Sequence, residues 1–153
     1  MGNFSERRHY DDVRATVDDS IDALWASDPR EHLIVRDGWP KASCESVAAT
    51  IALALEARGL GQWTFVLANI AGESYGHAWL EWRGDDGRVE FSIDPTLHQF
   101  PQWTEPFVGE GTTPAAEVFT VRRDDCVVWK LDWIDYDIGR KLRRLVRAQL
   151  SPG

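Results

Sequence analysis

The sequence contains little cysteine and no long apolar segment. Only Cys44 and Cys126 occur among its 153 residues, too few for a disulfide-stapled secreted domain and without the paired spacing of a zinc site. No stretch approaches the roughly 20 apolar residues that are needed to cross a membrane. The charged N-terminal residues precede no apolar core of the kind found in secretory signals. We therefore expect a cytoplasmic protein with no membrane partner.

Positive charge is also scarce. There are 17 lysine and arginine residues against 25 aspartate and glutamate residues, which gives a formal net charge of −8. Because this charge repels phosphate backbones, we expect no nucleic-acid partner. A basic group near the C-terminus has the spacing of the solvent-exposed face of a terminal helix; its members are Arg140, Lys141, Arg143, Arg144 and Arg147.

Tryptophan, in contrast, is abundant. The chain has eight tryptophans and one methionine, with 43% hydrophobic and 27% charged residues, a balance typical of globular proteins. The length fits a single domain spanning residues 1–153. We expect large rigid rings in its core and assign Trp103, Trp129 and Trp133 to that core.

The order of predicted elements indicates an α+β fold. Apolar residues at helical spacing predict helices over residues 10–26 and 136–150. Ser43 as N-cap and Gly59 as the left-handed stop delimit a third helix over residues 44–58, which is apolar enough to be buried on most sides. Strand-like runs cover residues 63–70, 77–82, 89–93, 116–121 and 126–131, and a loop over 99–114 has room for a short strand or turn.

This pattern predicts an antiparallel sheet that buries one face against the helix over residues 44–58. The core of the fold is expected within residues 44–96. That central helix carries Cys44 at its first turn.

The position of Cys44 favours reactivity. Free N–H groups and the helix dipole at a helix N-terminus stabilise negative charge, and the thiolate is the reactive form of cysteine. A small, inert, buried thiol is the alternative, because free cysteine is often a core residue.

His77 and Asp94 are predicted to share one face of a hairpin. A turn through Asp85 and Asp86 places them directly opposite, and a turn through Asp86 and Gly87 places them diagonally, within about 5–8 Å in both cases. A carboxylate next to imidazole fixes the tautomer and stabilises the protonated ring, as a general base for a thiol requires. A purely structural hydrogen bond is the alternative.

These segments carry a family resemblance. Cys44 at the start of a helix, then Gly76-His77-Ala78-Trp79-Leu80-Glu81, then Ile93-Asp94-Pro95-Thr96 resembles the core of the transglutaminase-like superfamily. The stretch from Cys44 to Leu60 is similar to small bacterial leader peptidases of lasso-peptide pathways.

The resemblance implies a papain-like triad with Cys44 as nucleophile, His77 as base and later acid, and Asp94 as the orienting residue. It implies an oxyanion site at the backbone N–H of Cys44, with a second donor from Trp39 or a neighbour. Trp39 and Trp79 are the candidate substrate-binding residues, although Trp79 also fits a packing role beside the pair. One departure from the family pattern is Glu45, which stands where a tryptophan is common and whose charge should oppose ionisation of the thiol.

Two classes of function follow. The first is a thiol enzyme that acts on peptide or side-chain amide bonds through an acyl-enzyme, either a cysteine peptidase or a transglutaminase or deamidase, with a peptide or protein substrate and no cofactor. The second is a non-catalytic peptide-binding or scaffold domain that kept the fold. A zinc site formed by Cys44, His77, Asp94 and His98 is a further alternative, since the ligand types fit; otherwise no metal is expected, and His98 and Cys126 are assigned to a solvated loop and to the core.

Overall fold

The computed structural model describes residues 7–27 and 43–152. Its helices are α1 (Arg7–Ala26), α2 (Cys44–Ala57) and α3 (Asp137–Leu145), the last continued by a π-helical turn over Val146–Leu150. The strands are β1 (Thr64–Asn69), β2 (Gly76–Arg83), β3 (Val89–Asp94), β4 (Phe107–Glu110) and β5 (Val121–Val127). The predicted α+β class is confirmed.

The strands form one antiparallel sheet in the order β4-β3-β2-β1-β5. Strand β2 therefore lies at its centre, and residues 77–81 of that strand are all buried. On one face, α2 packs against β1 and β2 and is flanked by α1 and α3. The central position of β2 places His77 in the interior of the fold.

Helix α2 is the buried helix that the sequence predicts. Ten consecutive residues, Ser46 to Leu55, are buried, because neighbouring elements cover the helix on several sides. Ser43 occupies the N-cap position and its carbonyl accepts from Val47 N–H at 3.0 Å, but its side chain makes no capping hydrogen bond. Gly59, with φ of +73°, ends the helix as predicted, a conformation that suits glycine.

The β2–β3 hairpin resolves the two predicted registers. Leu80 pairs with Ile93 and Trp82 with Phe91, which is the register that places Asp94 diagonally across from His77. The turn passes through Asp85 and Asp86, as in the first prediction, but the loop has an additional residue, Gly87. Gly87 N–H donates to the Gly84 carbonyl, Gly87 has φ of +80°, and the register shifts by one residue after Trp82, so the loop is longer than a two-residue turn and ends in a bulge.

Both faces of the sheet are covered, whereas the sequence predicted one buried face. The second face carries a separate apolar cluster built on Val66, Ala68 and Trp79 and covered by Ala115 and Phe119. These covering residues come from the connection between β4 and β5, where the sequence predicts a loop over 99–114 and a strand over 116–121 instead of a cover for the sheet. The second cluster encloses the same sheet face that bears His77.

Two predicted strands were wrong. Residues 114–117 form a 3-10 helix that begins at Pro114 with Thr113 as N-cap. Strand β5 begins at Val121 and ends at Val127, where a second 3-10 helix over Val128–Lys130 takes the chain away from the sheet. The charged run inside β5 conceals the strand in the sequence, and charge is typical of edge strands because it discourages pairing with other chains.

The tryptophans divide between core and surface. Trp63 and Trp79 are fully buried, and Trp103 and Trp133 pack partly buried against the two clusters. Trp129 is 44% exposed, so its assignment to the core was wrong.

Within the described residues, no helix has both the length and the apolar character required to span a bilayer.

Candidate active site

His77 and Asp94 form a buried pair across β2 and β3. His77 Nε2 lies 2.7 Å from Asp94 Oδ1, and both side chains have no exposed surface. The diagonal register supplies this contact, because both side chains point to the same face of adjacent strands. At this distance Asp94 fixes a proton on Nε2, which leaves Nδ1 as the nitrogen that can exchange a proton with another group.

Asp94 has a second partner that the sequence analysis missed. Thr113 Oγ1 donates to Asp94 Oδ2 at 2.7 Å, and Thr113 is itself buried. Because Pro114 follows, Thr113 is confined to extended backbone, and its hydroxyl also accepts from Ala115 N–H at 3.4 Å. The carboxylate is thus oriented from both oxygens. The Thr113-Pro114 cap was the available signal, but nothing in the sequence indicated which carboxylate it would reach.

The environment of His77 favours the imidazolium. Burial acts to lower the pKa of His77, but hydrogen bonds to Asp94 and Cys44 and the charges of both partners raise it to about 9. The ring therefore carries positive charge at neutral pH. A cation held beside a thiol is the arrangement that favours the thiolate.

Cys44 begins α2 and lies next to this ring. It is half-buried, packs against the main apolar cluster and is a free thiol. The first turn of α2 supplies backbone N–H groups with no partner inside the helix. The structure thus brings together Cys44, His77 and Asp94, three residues that lie up to 50 positions apart in the chain.

The side-chain amide of Gln99 contacts the second imidazole nitrogen of His77, Nδ1. Its Nε2 lies 2.9 Å from His77 Nδ1, and the side chain extends from a 3-10 helix over Leu97–Gln99 directly after the Asp-Pro-Thr segment. An amide can present its NH₂ group to a neutral ring or its oxygen to an imidazolium. Gln99 is therefore suited to hold the ring in both protonation states, and it competes with the Cys44 thiol for Nδ1.

Removing this competitor should accelerate reactions of Cys44. We expect Gln99→Leu to increase the alkylation rate of Cys44 by iodoacetamide at pH 7 about fivefold, because a hydrogen bond of this kind contributes about 1 kcal/mol. Mass spectrometry of the labelled peptide measures the rate. Gln102→Leu is the matched control, since Gln102 is exposed in the same segment. An unchanged or slower rate in Gln99→Leu alone would show that the amide does not restrain Nδ1.

Aromatic rings enclose His77 on the second face of the sheet. The ring centroids of Phe100, Phe119 and Trp79 lie 5.0, 5.5 and 5.9 Å from that of the imidazole. Trp79 has no exposed surface. It is therefore a buried wall beside the imidazole in this structure, which agrees with a packing role and gives no surface for contact with a substrate.

Trp79 is held in turn by a buried ionic network. Its Nε1 donates to Glu81 Oε2 at 2.9 Å, and Glu81 is fully buried. Arg83 Nη2 donates to Glu81 Oε1 at 2.7 Å, and Arg122 Nη2 donates to Oε2 at 3.1 Å. Asp125 accepts from both arginines. Although burial acts to raise it, the hydrogen bonds from Arg122, Trp79 and Arg83 lower the pKa of Glu81.

The two free thiols differ in their surroundings. Burial and the charge of Asp124 raise the pKa of Cys126 on β5, which disfavours its thiolate. Partial burial and the charge of Asp124 raise the pKa of Glu45, while the charge of Arg123 acts to lower it. The carboxylate form of Glu45, which would place a negative charge next to Cys44, is therefore disfavoured. Cys126 is thus an internal reference for the reactivity of Cys44.

Other sequence predictions find no support in the geometry. Among residues 7–27 and 43–152, no group of three His, Cys, Asp or Glu side chains is arranged to hold a metal ion, so the zinc arrangement of Cys44, His77, Asp94 and His98 is not formed. His98 is half-buried, with burial lowering its pKa against the opposing charge of Asp94. Trp39 lies outside the described residues.

The comparisons with known proteins add no relative. No protein family, curated protein or solved structure matched the chain.

Proposed function

We propose that this protein is a thiol enzyme of papain-like, transglutaminase-like type that acts on amide bonds through an acyl-enzyme. The observation that carries the proposal is the buried 2.7 Å contact between His77 Nε2 and Asp94 Oδ1 beside the Cys44 thiol. A nucleophile, a base and an orienting carboxylate in this order are the parts that nucleophilic catalysis at a carbonyl requires.

The first half of the proposed reaction forms a thioester. Because the pKa of His77 is raised to about 9, its Nδ1 already carries a proton at neutral pH, and Cys44 attacks the carbonyl carbon of the amide as the thiolate of this ion pair. Backbone N–H groups at the first turn of α2 stabilise the oxyanion. When the tetrahedral intermediate collapses, the carbon–nitrogen bond breaks, and the imidazolium proton goes to the departing amine.

The second half resolves the thioester. His77 removes a proton from water or from an incoming amine, whose oxygen or nitrogen attacks the acyl carbon, and Cys44 leaves as the thiolate. Water gives hydrolysis and an amine gives acyl transfer, with the same residues in the same roles. The resemblance to leader peptidases favours hydrolysis of a peptide that binds in extended form beside the sheet.

One observation favours the second class of function. His77 has no exposed surface, and its Nδ1 is bonded to Gln99, so a non-catalytic peptide-binding domain with a retained fold would present the same contacts. The reactivity of Cys44 separates the two classes, because only an enzyme needs an activated thiolate.

The test is selective alkylation by iodoacetamide. We expect Cys44 to react at least about tenfold faster than Cys126 between pH 6 and 8, because His77, with a pKa of about 9, is charged throughout this range and a neighbouring cation favours the thiolate. Burial and Asp124 raise the pKa of Cys126, so that thiol stays protonated. Peptide mass spectrometry resolves the two sites.

His77→Ala should abolish the difference between the two thiols. His98→Ala is the matched control, since it removes an imidazole from the same region without removing the partner of Asp94. Equal and slow labelling of both thiols in the unmodified protein would refute the enzyme and support the binding domain.

A further inference from the structure

A groove lies at the far end of α2 from Cys44. It has a volume of about 420 Å³. It lies between the C-terminal turns of α2 and the helix α3 with its π-helical turn. Leu53, Ala57 and Val146 provide an apolar floor. This volume falls in the range of sites that take a small ligand or a few side chains.

Trp129 forms one wall of the groove and is held in a fixed orientation. Its Nε1 donates to Glu56 Oε2 at 3.0 Å, and the guanidinium of Arg143 lies 5.6 Å from the ring centroid. Contacts at both the edge and the face of the indole restrict its rotation, yet the residue is 44% exposed. Tryptophan and arginine are both enriched among the few residues that dominate binding at protein interfaces.

Two arginines give the groove positive charge. Arg143 Nε is buried without a hydrogen-bond partner in the described part of the chain, and its only ion pair there is a 3.6 Å contact with Asp135. Arg147 is exposed and makes no ion pair with any described residue. The carboxylate of Glu56 is turned towards Trp129. The groove is therefore lined by two guanidinium groups, of which that of Arg147 is exposed, and by one carboxylate, that of Glu56, although the whole chain has a net charge of −8.

We propose that this groove binds an acidic peptide segment that carries an apolar side chain. The apolar side chain packs on the indole of Trp129 and the floor of the groove. A carboxylate accepts from Arg143 and Arg147, with the bidentate geometry that guanidinium groups prefer. A polyphosphate or nucleic acid is disfavoured, because the remaining surface of this acidic protein repels long polyanions.

The groove is separate from the thiol site. At about 1.5 Å of rise per residue, Leu53 and Ala57 lie about 14 and 20 Å along the α2 axis from Cys44. The groove therefore binds its ligand whether or not Cys44 is reactive, and its test does not depend on the proposed chemistry.

The test selects random heptapeptides, displayed on phage, on the immobilised full chain and on the double variant Arg143→Gln/Arg147→Gln. We expect peptides with two or more acidic residues and one large apolar residue to be enriched at least tenfold on the unmodified chain. The most enriched peptide, labelled with fluorescein, should bind at least tenfold more weakly to the double variant by fluorescence anisotropy.

Arg140→Gln/Arg144→Gln is the matched control. It makes the same change in charge on exposed residues of the same helix that do not line the groove, and it should retain binding within twofold. Cys44→Ala should also retain binding. The proposal is refuted if enriched peptides are not acidic, if none is enriched, or if the control double variant loses as much affinity as the groove variant.

Discussion

Asp94→Asn should lower the pKa of His77 from about 9 to about 6.5 or below. The amide keeps the shape of the side chain but removes its charge, so the burial that acts to lower the pKa of His77 is no longer offset by the Asp94 carboxylate. At pH 7.5 the ring then becomes mostly neutral. The alkylation rate of Cys44 at that pH should fall about tenfold, and turnover of any amide substrate should fall by about 10³–10⁴-fold, because the ring also loses its orienting partner.

Titration of the imidazole nitrogens by NMR measures this pKa directly. Asp85→Asn is the control, since Asp85 is an exposed turn residue of the same hairpin and its loss should leave His77 unchanged. Thr113→Val tests the orienting contact separately. It removes the hydroxyl donor from Asp94 Oδ2 but keeps the charge of Asp94, so we expect a smaller decrease in the pKa of His77 than in Asp94→Asn. If His77 titrates at the same pH in Asp94→Asn and in the unmodified protein, the buried carboxylate does not control the ring.

Glu81→Ala should cause a large loss of stability. It leaves Arg83 and Arg122 partly buried without their shared carboxylate and Trp79 Nε1 without an acceptor. Removing one partner from a buried ionic network costs about 3–5 kcal/mol. Urea denaturation followed by circular dichroism measures the free energy of unfolding, and a decrease of about 3 kcal/mol or more is expected.

The exposed pair of Arg14 and Asp18 provides the control. Their contact is 3.9 Å, and the side chains are 45% and 63% exposed, so Asp18→Ala should change the free energy of unfolding by less than about 1 kcal/mol. The pH dependence has a defined sign. Because the folded pKa of Glu81 is lowered, its stabilisation is complete above the ordinary carboxyl pKa of about 4.3 and is lost as the pH falls through the folded pKa. Equal effects of Glu81→Ala and Asp18→Ala would show that the network contributes nothing.

The ionic network also connects stability to the candidate site. Glu81 holds Trp79, and Trp79 packs 5.9 Å from His77. Glu81, Trp79 and His77 are alternate residues of β2 and therefore point to one face. The segment from Gly76 to Glu81 thus encodes the buried histidine, the aromatic ring beside it and the carboxylate that holds this ring, all in a single strand.

The sequence alone determined the elements whose signals are local. The apolar run after Ser43 and the stop at Gly59 define α2, because helix periodicity and a left-handed glycine depend only on neighbouring residues. Alternation along β2 and β3 was sufficient to place His77 and Asp94 on one face in either register. The sequence also indicated the α+β class from the order of these elements.

Only the tertiary structure decided what meets that face. Gln99 and Thr113 reach the pair from the segment predicted as a loop, which also contains Phe100. The covering ring of Phe119 comes from the segment predicted as a strand over 116–121. The strand was predicted over 116–121 instead of 121–127, because the charged residues of β5 lack the apolar alternation that identifies a strand. Trp129 was assigned to the core although it is exposed, because composition does not indicate which rings other residues cover. Helices and strands are determined largely by interactions between residues that are close in sequence. Which polar groups a buried histidine contacts is decided by side chains that are distant in sequence and become neighbours only when the sheet and its second apolar cluster are packed together.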